Sequence, residues 1–191
     1  RDNYQVWQIF YSTNMPILES RFQIYELLKQ AFSQTQPNSI SANDAVVIGH
    51  SMGGVISRLL VSQADVSEKA IPLMSEQQKK QLDHFPIIRQ RFIFKPIPQF
   101  TRAIFIASPQ KGTPYANRWF PQFIAQRIIK LPQNFINSVD ADLRLDVKKF
   151  KQGLIYNGPA DLSDKSKFML LTADIMPIKG VVFHSIMGNN T

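Results

Sequence analysis

The chain has 191 residues, of which 44% are hydrophobic and 11% aromatic, so its length and composition suit one domain with a sizeable core. Its 22 Lys and Arg residues against 14 Asp and Glu give a net charge of +8, but no nucleic-acid-binding motif frames them. Nucleic acid is therefore disfavoured as a partner, and the absence of cysteine excludes disulfides, thiol nucleophiles and cysteine-ligated metals.

Four segments in the first third of the chain have a regular pattern. Tyr4 to Tyr11 is β-branched and aromatic, which predicts a strand. Pro16 suits a first helical turn, and apolar residues from Ile17 to Phe32 follow a helical period. Ala45 to Gly49 is a short apolar run typical of a buried parallel strand, and Gly53 to Ala64 carries a helical stripe.

The remaining two thirds begin with a stretch, residues 66–100, that breaks this pattern with four prolines, and we interpret it as an insertion. The later predicted elements are a strand at Thr101 to Ala107, helices near 121–130, 132–151 and 163–175, the last capped by Ser163, and a strand at Val181 to Met187. Strands that alternate with helices predict a mostly parallel sheet flanked by helices, an α/β architecture.

The sharpest motif joins the second strand to the second helix. Gly49-His50-Ser51-Met52-Gly53-Gly54 matches G-x-S-x-G, with a buried strand before it and a helix after it. A serine in so tight a turn takes strained backbone angles and projects its hydroxyl above the sheet, and glycines prevent collisions there. This predicts Ser51 as a nucleophile, with the backbone N–H of Met52 directed at an oxyanion.

An ordinary glycine-rich turn, such as one that binds phosphate, is the alternative. It is disfavoured because neither G-x-x-x-x-G-K-[ST] nor G-x-G-x-x-G occurs at this turn. No cofactor motif, H-E-x-x-H sequence or acidic calcium loop occurs either, so we predict no metal and no cofactor.

At these residues the chain resembles the α/β-hydrolase family, and GHSMGG is similar to the elbow of bacterial lipases and esterases. A second segment, Phe105 to Pro114, is similar to the one that shapes the floor beside the nucleophile in that family. The resemblance covers about residues 4–116 and implies an α/β-hydrolase-like fold, with Pro109, Gly112 and Thr113 lining the pocket without a catalytic role.

The resemblance also implies a histidine base and a carboxylate after the serine in chain order. Of the three histidines, His50 belongs to the elbow and His84 to the insertion, before any predicted acid-bearing strand. Only His184 has the order serine, carboxylate, histidine, with Asp161, Asp164 and Asp174 in between, so it is the one candidate base within this chain. His184 lies inside a predicted strand, whereas the family's base follows the last strand. No upstream His-Gly segment, the family's source of a second oxyanion N–H, is present either. We therefore expect residues 1–191 to be an incomplete single domain, with base and acid beyond Thr191.

Two functions follow from these patterns. The first is hydrolysis of carboxylic esters, as by an esterase or lipase, through an acyl-serine intermediate; thioesterases and acyltransferases share the same nucleophile. The second is a noncatalytic binding protein with a hydrolase-like fold. Aromatic residues of the insertion and beyond, such as Phe92, Phe94 and Trp119, suit an acyl pocket or, more simply, the core. The basic surface leaves an anionic membrane open as a partner, and both cytoplasm and cell envelope remain open as locations.

Overall fold

The computed structural model describes residues 4–36, 39–40, 43–114, 116 and 158–188. Its helices are α1 (Ile17–Ser33), α2 (Met52–Leu60), α3 (Ser67–Ala70), α4 (Glu76–His84), α5 (Pro86–Arg89), α6 (Gly158–Asp161) and α7 (Lys167–Thr172). Its strands are β1 (Ala45–His50), β2 (Ala64–Asp65), β3 (Ile93–Phe94), β4 (Phe100–Ile106) and β5 (Val182–Ile186). The helices predicted near 121–130 and 132–151 lie outside the described residues.

Three of the strands form a parallel sheet in the order β1-β4-β5. In register, Gly49 of β1 lies beside Phe105 of β4, and Ile104 of β4 lies between Ile48 and His184. Parallel neighbours that are far apart in sequence require crossover connections. The predicted α/β architecture is therefore confirmed at this coarse level, with a small sheet flanked by helices.

The two faces of the sheet differ in burial. Val47, Ala103 and Phe105 are buried on the face that α2 covers. On the other face, Val46 is 46% and Ile48 62% exposed. Successive residues of a strand point to opposite faces, so the pattern of β1 and β4 follows from one-sided covering by helices.

The two helices predicted in the first third of the chain both form, and their apolar stripes explain which of their residues are buried. α1 begins directly after Pro16 and buries apolar residues at helical spacing, among them Phe32, which packs edge to face on Phe100 with ring centroids 5.7 Å apart. α2 is shorter than predicted, because it ends at Leu60 and Ala64 instead pairs with Phe94 in a two-stranded antiparallel ladder.

The stretch 66–100 packs onto the main core. Phe92, Phe94 and Ile97 are almost fully buried in the same hydrophobic cluster as α1 and α2, and the Ile97 N–H donates to the Leu60 carbonyl at 2.8 Å. The prolines interrupt the helices of this segment without separating it from the domain. The core interpretation of Phe92 and Phe94 is therefore confirmed, and Trp119 lies outside the described residues.

Two predictions from local pattern are wrong. Tyr4 to Tyr11 has strand-forming residues, but none of the described strands pairs with it, and it forms no strand itself. The last predicted helix is shorter, and Ser166 caps it in place of Ser163: the Ser166 hydroxyl accepts the Met169 N–H at 3.0 Å. The strand predicted at Val181 to Met187 is confirmed as β5.

A buried ion pair joins α1 to the segment before β3. The Arg91 guanidinium contacts the Glu19 carboxylate, and the two side chains are only 7% and 6% exposed. Two residues earlier, Arg89 pairs with Glu68 at 2.6 Å in solvent, with 47% and 74% of the side chains exposed. The two pairs are therefore matched in chemistry and differ in burial.

We expect Arg91→Met to lower the free energy of unfolding by about 3–5 kcal/mol, because it leaves the Glu19 carboxylate buried without its cation. Arg89→Met should cost about 1 kcal/mol or less, because water replaces the lost partner. Urea titrations of both variants test this difference. Equal losses of unfolding free energy in the two variants would show that burial does not determine how much the Glu19–Arg91 pair contributes to stability.

Candidate active site

Ser51 occupies the turn between the end of β1 and the start of α2. Its backbone angles are φ 53° and ψ −123°, a region that residues other than glycine rarely adopt. The Ser51 N–H donates to the Ile106 carbonyl at 2.9 Å, and its own carbonyl accepts the Gly54 N–H at 3.0 Å. The residue is partly exposed. The strained strand-turn-helix bend predicted from the motif is confirmed.

Close packing of α2 on β1 explains the glycines of the motif. A Cβ on Gly49 would overlap the Gly53 carbonyl and lie 2.5 Å from the Ser57 hydroxyl. A Cβ on Gly54 would overlap the Ser108 hydroxyl and lie 2.7 Å from the Ser108 Cβ. Helix and strand are therefore in contact at their backbones, and the Ser108 side chain packs on the helix backbone. This close approach leaves the chain only the sharp bend at Ser51.

The start of α2 offers hydrogen-bond donors beside the Ser51 hydroxyl. The first N–H groups of a helix, here those of Met52 and Gly53, have no acceptor in a preceding turn, and they carry the positive end of the helix dipole. Met52 as a whole is buried. An anion that forms on an atom bound to Ser51 would lie next to these donors.

A second strained residue, which no sequence motif indicated, lies beside Ser51. Ala107, directly after β4, has φ 47°, and its N–H donates to the Ile186 carbonyl at 2.8 Å. Since Ser51 bonds to Ile106, both strained residues lie at the carboxyl edge of the sheet. Strained residues of this kind cost about 1–3 kcal/mol each and cluster at functional sites.

The loop after β4 is fixed to α2 by polar contacts. Arg58 of α2 donates to the Gln110 side chain at 2.7 Å and to the Thr172 carbonyl at 2.8 Å, while Gln110 donates to the Gly54 carbonyl at 3.2 Å. Burial lowers the pKa of Arg58 to about 10, which still leaves it charged at neutral pH. This arginine joins α2, the loop after β4 and α7 into one support for the bend.

The predicted pocket residues lie in this same loop. Gly112 has φ 80°, and a Cβ there would lie 2.5 Å from the Asp164 Cα; Thr113 donates its N–H to the Leu162 carbonyl at 2.8 Å. Both residues therefore contact the segment after α6. Pro109 is partly buried. A role of these three residues in lining a pocket at Ser51 stays a prediction.

The turn before α1 forms the other side of the site. A Cβ on Gly158 of α6 would lie 2.5 Å from the Thr13 carbonyl, 2.8 Å from the Met15 carbonyl and 2.9 Å from the Met52 sulfur. Asp161, at the end of α6, accepts the Ile17 N–H at 2.9 Å. α6 thus holds the start of α1 against α2, which sequence reasoning missed because the partners are about 140 residues apart.

The structure does not bring His184 to Ser51. His184 is level with Ile104 and hence with Ile48, so it lies two strands across from β1 and three residues before the bend. At spacings of about 4.8 Å between strands and 3.3 Å along them, each offset is about 10 Å. Its Nε2 lies 3.1 Å from Arg102 Nη1, and it shares the sheet face opposite α2 with Ile104. This placement argues against His184 as the base.

The other candidate acids and bases are also separate from the Ser51 hydroxyl, which has no hydrogen bond to any described residue. His50 is exposed at the end of β1, and His84 is exposed on α4, with its Nδ1 2.7 Å from the Lys80 carbonyl. Asp164 and Asp174 are exposed. Within the described ranges, no three metal-ligating side chains come together.

Comparison with protein-family models, with curated proteins and with solved structures finds no match to this chain. The site is therefore interpreted from its own geometry. Among the described helices, none is long and apolar enough to cross a membrane.

We expect Gly54→Ala to lower the free energy of unfolding by about 1–3 kcal/mol, because the new methyl group meets Ser108. Ser108→Gly removes the two nearest of the three atoms that a Cβ would meet and leaves the Gly49 carbonyl oxygen at 3.0 Å, so the double variant should recover part of the loss. Urea unfolding of the singles and the double measures this coupling. Gly188→Ala, with no atom within 4 Å of the new Cβ, is the control. If the effects of Gly54→Ala and Ser108→Gly simply added in the double variant, the contact between these two positions would be contradicted.

Titration of the buried Asp161 carboxyl group should make the stability of the protein depend on pH. Burial raises its pKa from 3.8 to about 7, although the bond from the Ile17 N–H lowers it. Between about pH 4 and pH 7 the folded state therefore keeps a proton that the unfolded state releases. The resulting contribution to stability is fully present below about pH 4 and is lost as the pH rises to about 7. Asp161→Asn keeps a neutral acceptor for Ile17 and removes the titration.

We expect Asp161→Asn to gain stability relative to the wild type as the pH rises from 4 to 8. The gain is on the order of a few kcal/mol, since one pKa unit corresponds to about 1.4 kcal/mol. Unfolding titrations at four pH values measure it, with Asp164→Asn at a nearby exposed carboxylate as the matched control. A constant difference between Asp161→Asn and the wild type would refute the buried titration.

Proposed function

We propose that this chain carries the nucleophile of a serine hydrolase. The observation that supports this most is the backbone of Ser51, whose positive φ between a parallel strand and a helix is retained despite its strain. Such a bend lifts a hydroxyl out of the sheet and directs helix N–H groups at the atom next to it. These are the two requirements for attack on a carbonyl carbon and for holding the anion that results.

Within that class, we propose hydrolysis of carboxylic esters on an α/β-hydrolase-like fold. The parallel order β1-β4-β5, with α2 following the nucleophile strand, supports this fold. The Ser51 oxygen would bond to the ester carbonyl carbon while its proton passes to a general base, and the carbonyl oxygen would become an anion beside the Met52 N–H. Collapse expels the alcohol, and water then releases the acid from the acyl-serine. A thioester or an acyl acceptor other than water would use the same steps.

Binding without turnover is the second candidate function. The observation in its favour is that none of the three histidines hydrogen-bonds to the Ser51 hydroxyl, while His184 lies beside Arg102 on β5, the outer strand of the described sheet. A serine without a base is a weak nucleophile. A binding protein would retain ester affinity and leave Ser51 unmodified by an electrophilic phosphonate.

A fluorophosphonate probe distinguishes these functions when applied to the full-length gene product. We expect covalent labelling that mass spectrometry places on Ser51, because the probe reacts only with an activated serine. Ser51→Ala should abolish labelling and lower hydrolysis of p-nitrophenyl butyrate by at least about 10³-fold. Ser185→Ala, at an exposed serine of β5, is the matched control and should label normally. Undiminished labelling of Ser51→Ala, or an unlabelled wild type, would contradict hydrolysis.

A further inference from the structure

Tyr11 brings a phenol to the first turn of α2. Its ring is partly buried against the core, and its hydroxyl oxygen lies 3.4 Å from the position that a Cβ on Gly53 would occupy. The Cα–Cβ bond of a helical residue tilts towards the helix N-terminus. The Tyr11 hydroxyl therefore lies beside the first turn of α2, next to the residue that follows Met52.

This hydroxyl has a proton to donate and no acceptor among the described residues. Burial raises the pKa of Tyr11 to about 12, so the phenol stays neutral throughout the physiological range. The Tyr11 hydroxyl lies beside the turn where the proposed reaction creates an oxyanion.

We propose that the Tyr11 hydroxyl is the second oxyanion donor of this site, acting together with the backbone N–H of Met52. The inference rests on the proposed serine-hydrolase function and adds a side-chain donor to the backbone N–H of Met52. Tyr11 would hydrogen-bond to the carbonyl oxygen of the ester and keep its own proton during the reaction.

The segment that carries Tyr11 is held from both sides. Trp7 packs on Phe32 of α1 with ring centroids 5.2 Å apart, and the Met15 N–H donates to the Ser12 carbonyl at 3.1 Å in the turn that follows Tyr11. The turn then packs on Gly158, and Asp161 holds the first N–H of α1. A donor fixed before the substrate arrives needs little reorganisation during the reaction, which is what makes an oxyanion site effective.

The test compares the second-order rate constant of fluorophosphonate labelling at Ser51 in the full-length protein and in Tyr11→Phe. Because the phosphonate oxygen takes the place of the ester oxyanion, we expect labelling to slow by about 10–10²-fold. The affinity for a trifluoromethyl ketone, whose adduct carries an oxyanion, should fall by a similar factor, and the KM for p-nitrophenyl butyrate should change little. Tyr25→Phe, at a partly exposed tyrosine of α1, is the matched control and should behave as wild type.

A purely structural role of Tyr11 would give a different pattern. Phenylalanine keeps the buried ring, so an unchanged thermal midpoint together with slower labelling supports the donor. Equal labelling rates in Tyr11→Phe and wild type would overturn the inference and leave the proposed function intact. An unlabelled Ser51 in the wild type would instead overturn the proposed function and the inference with it.

Discussion

The backbone contact between α2 and β1 is the constraint on which the rest of the site depends. The Gly53 carbonyl leaves no room for a side chain at Gly49, and Ser108 leaves none at Gly54. A chain that must turn from strand to helix within one residue, at this separation, takes φ 53° at Ser51. The strain is local and the packing that imposes it extends over both elements, so the buried core offsets its cost.

Around that bend, three segments that are distant in sequence meet at the carboxyl edge of the sheet. The loop after β4 contributes strained Ala107 and is fixed to α2 through Arg58. On the other side, α6 holds the turn before α1 through Gly158 and the buried Asp161. Ligands of open α/β sheets commonly bind outside the carboxyl ends of the strands. The bend at Ser51 therefore lies where ligands of such sheets bind, and the loop after β4 and α6 hold it in place from two sides.

The histidines show why chain order and spatial arrangement have to be considered separately. His184 satisfies the order serine, carboxylate, histidine, but its strand extends the sheet on the side of β4 and not beside β1. It meets Arg102 instead, on the face that α2 does not cover. Asp161, the most buried of the candidate acids, accepts a helix N–H and thereby stabilises the start of α1. The packing that forms the bend at Ser51, the proposed nucleophile, thus does not bring these groups to it.

The sequence alone determined the elements whose signals are local. A glycine spacing, a buried apolar run and a helical stripe within twenty residues predict β1, the Ser51 bend and α2, because neighbouring residues impose these conformations on one another. The tertiary structure decided what depends on distant partners: no described strand pairs with Tyr4 to Tyr11, Asp161 accepts the Ile17 N–H, and Tyr11 reaches Gly53. Such contacts join segments tens of residues apart, and no pattern within a short window specifies which of them packing will bring together.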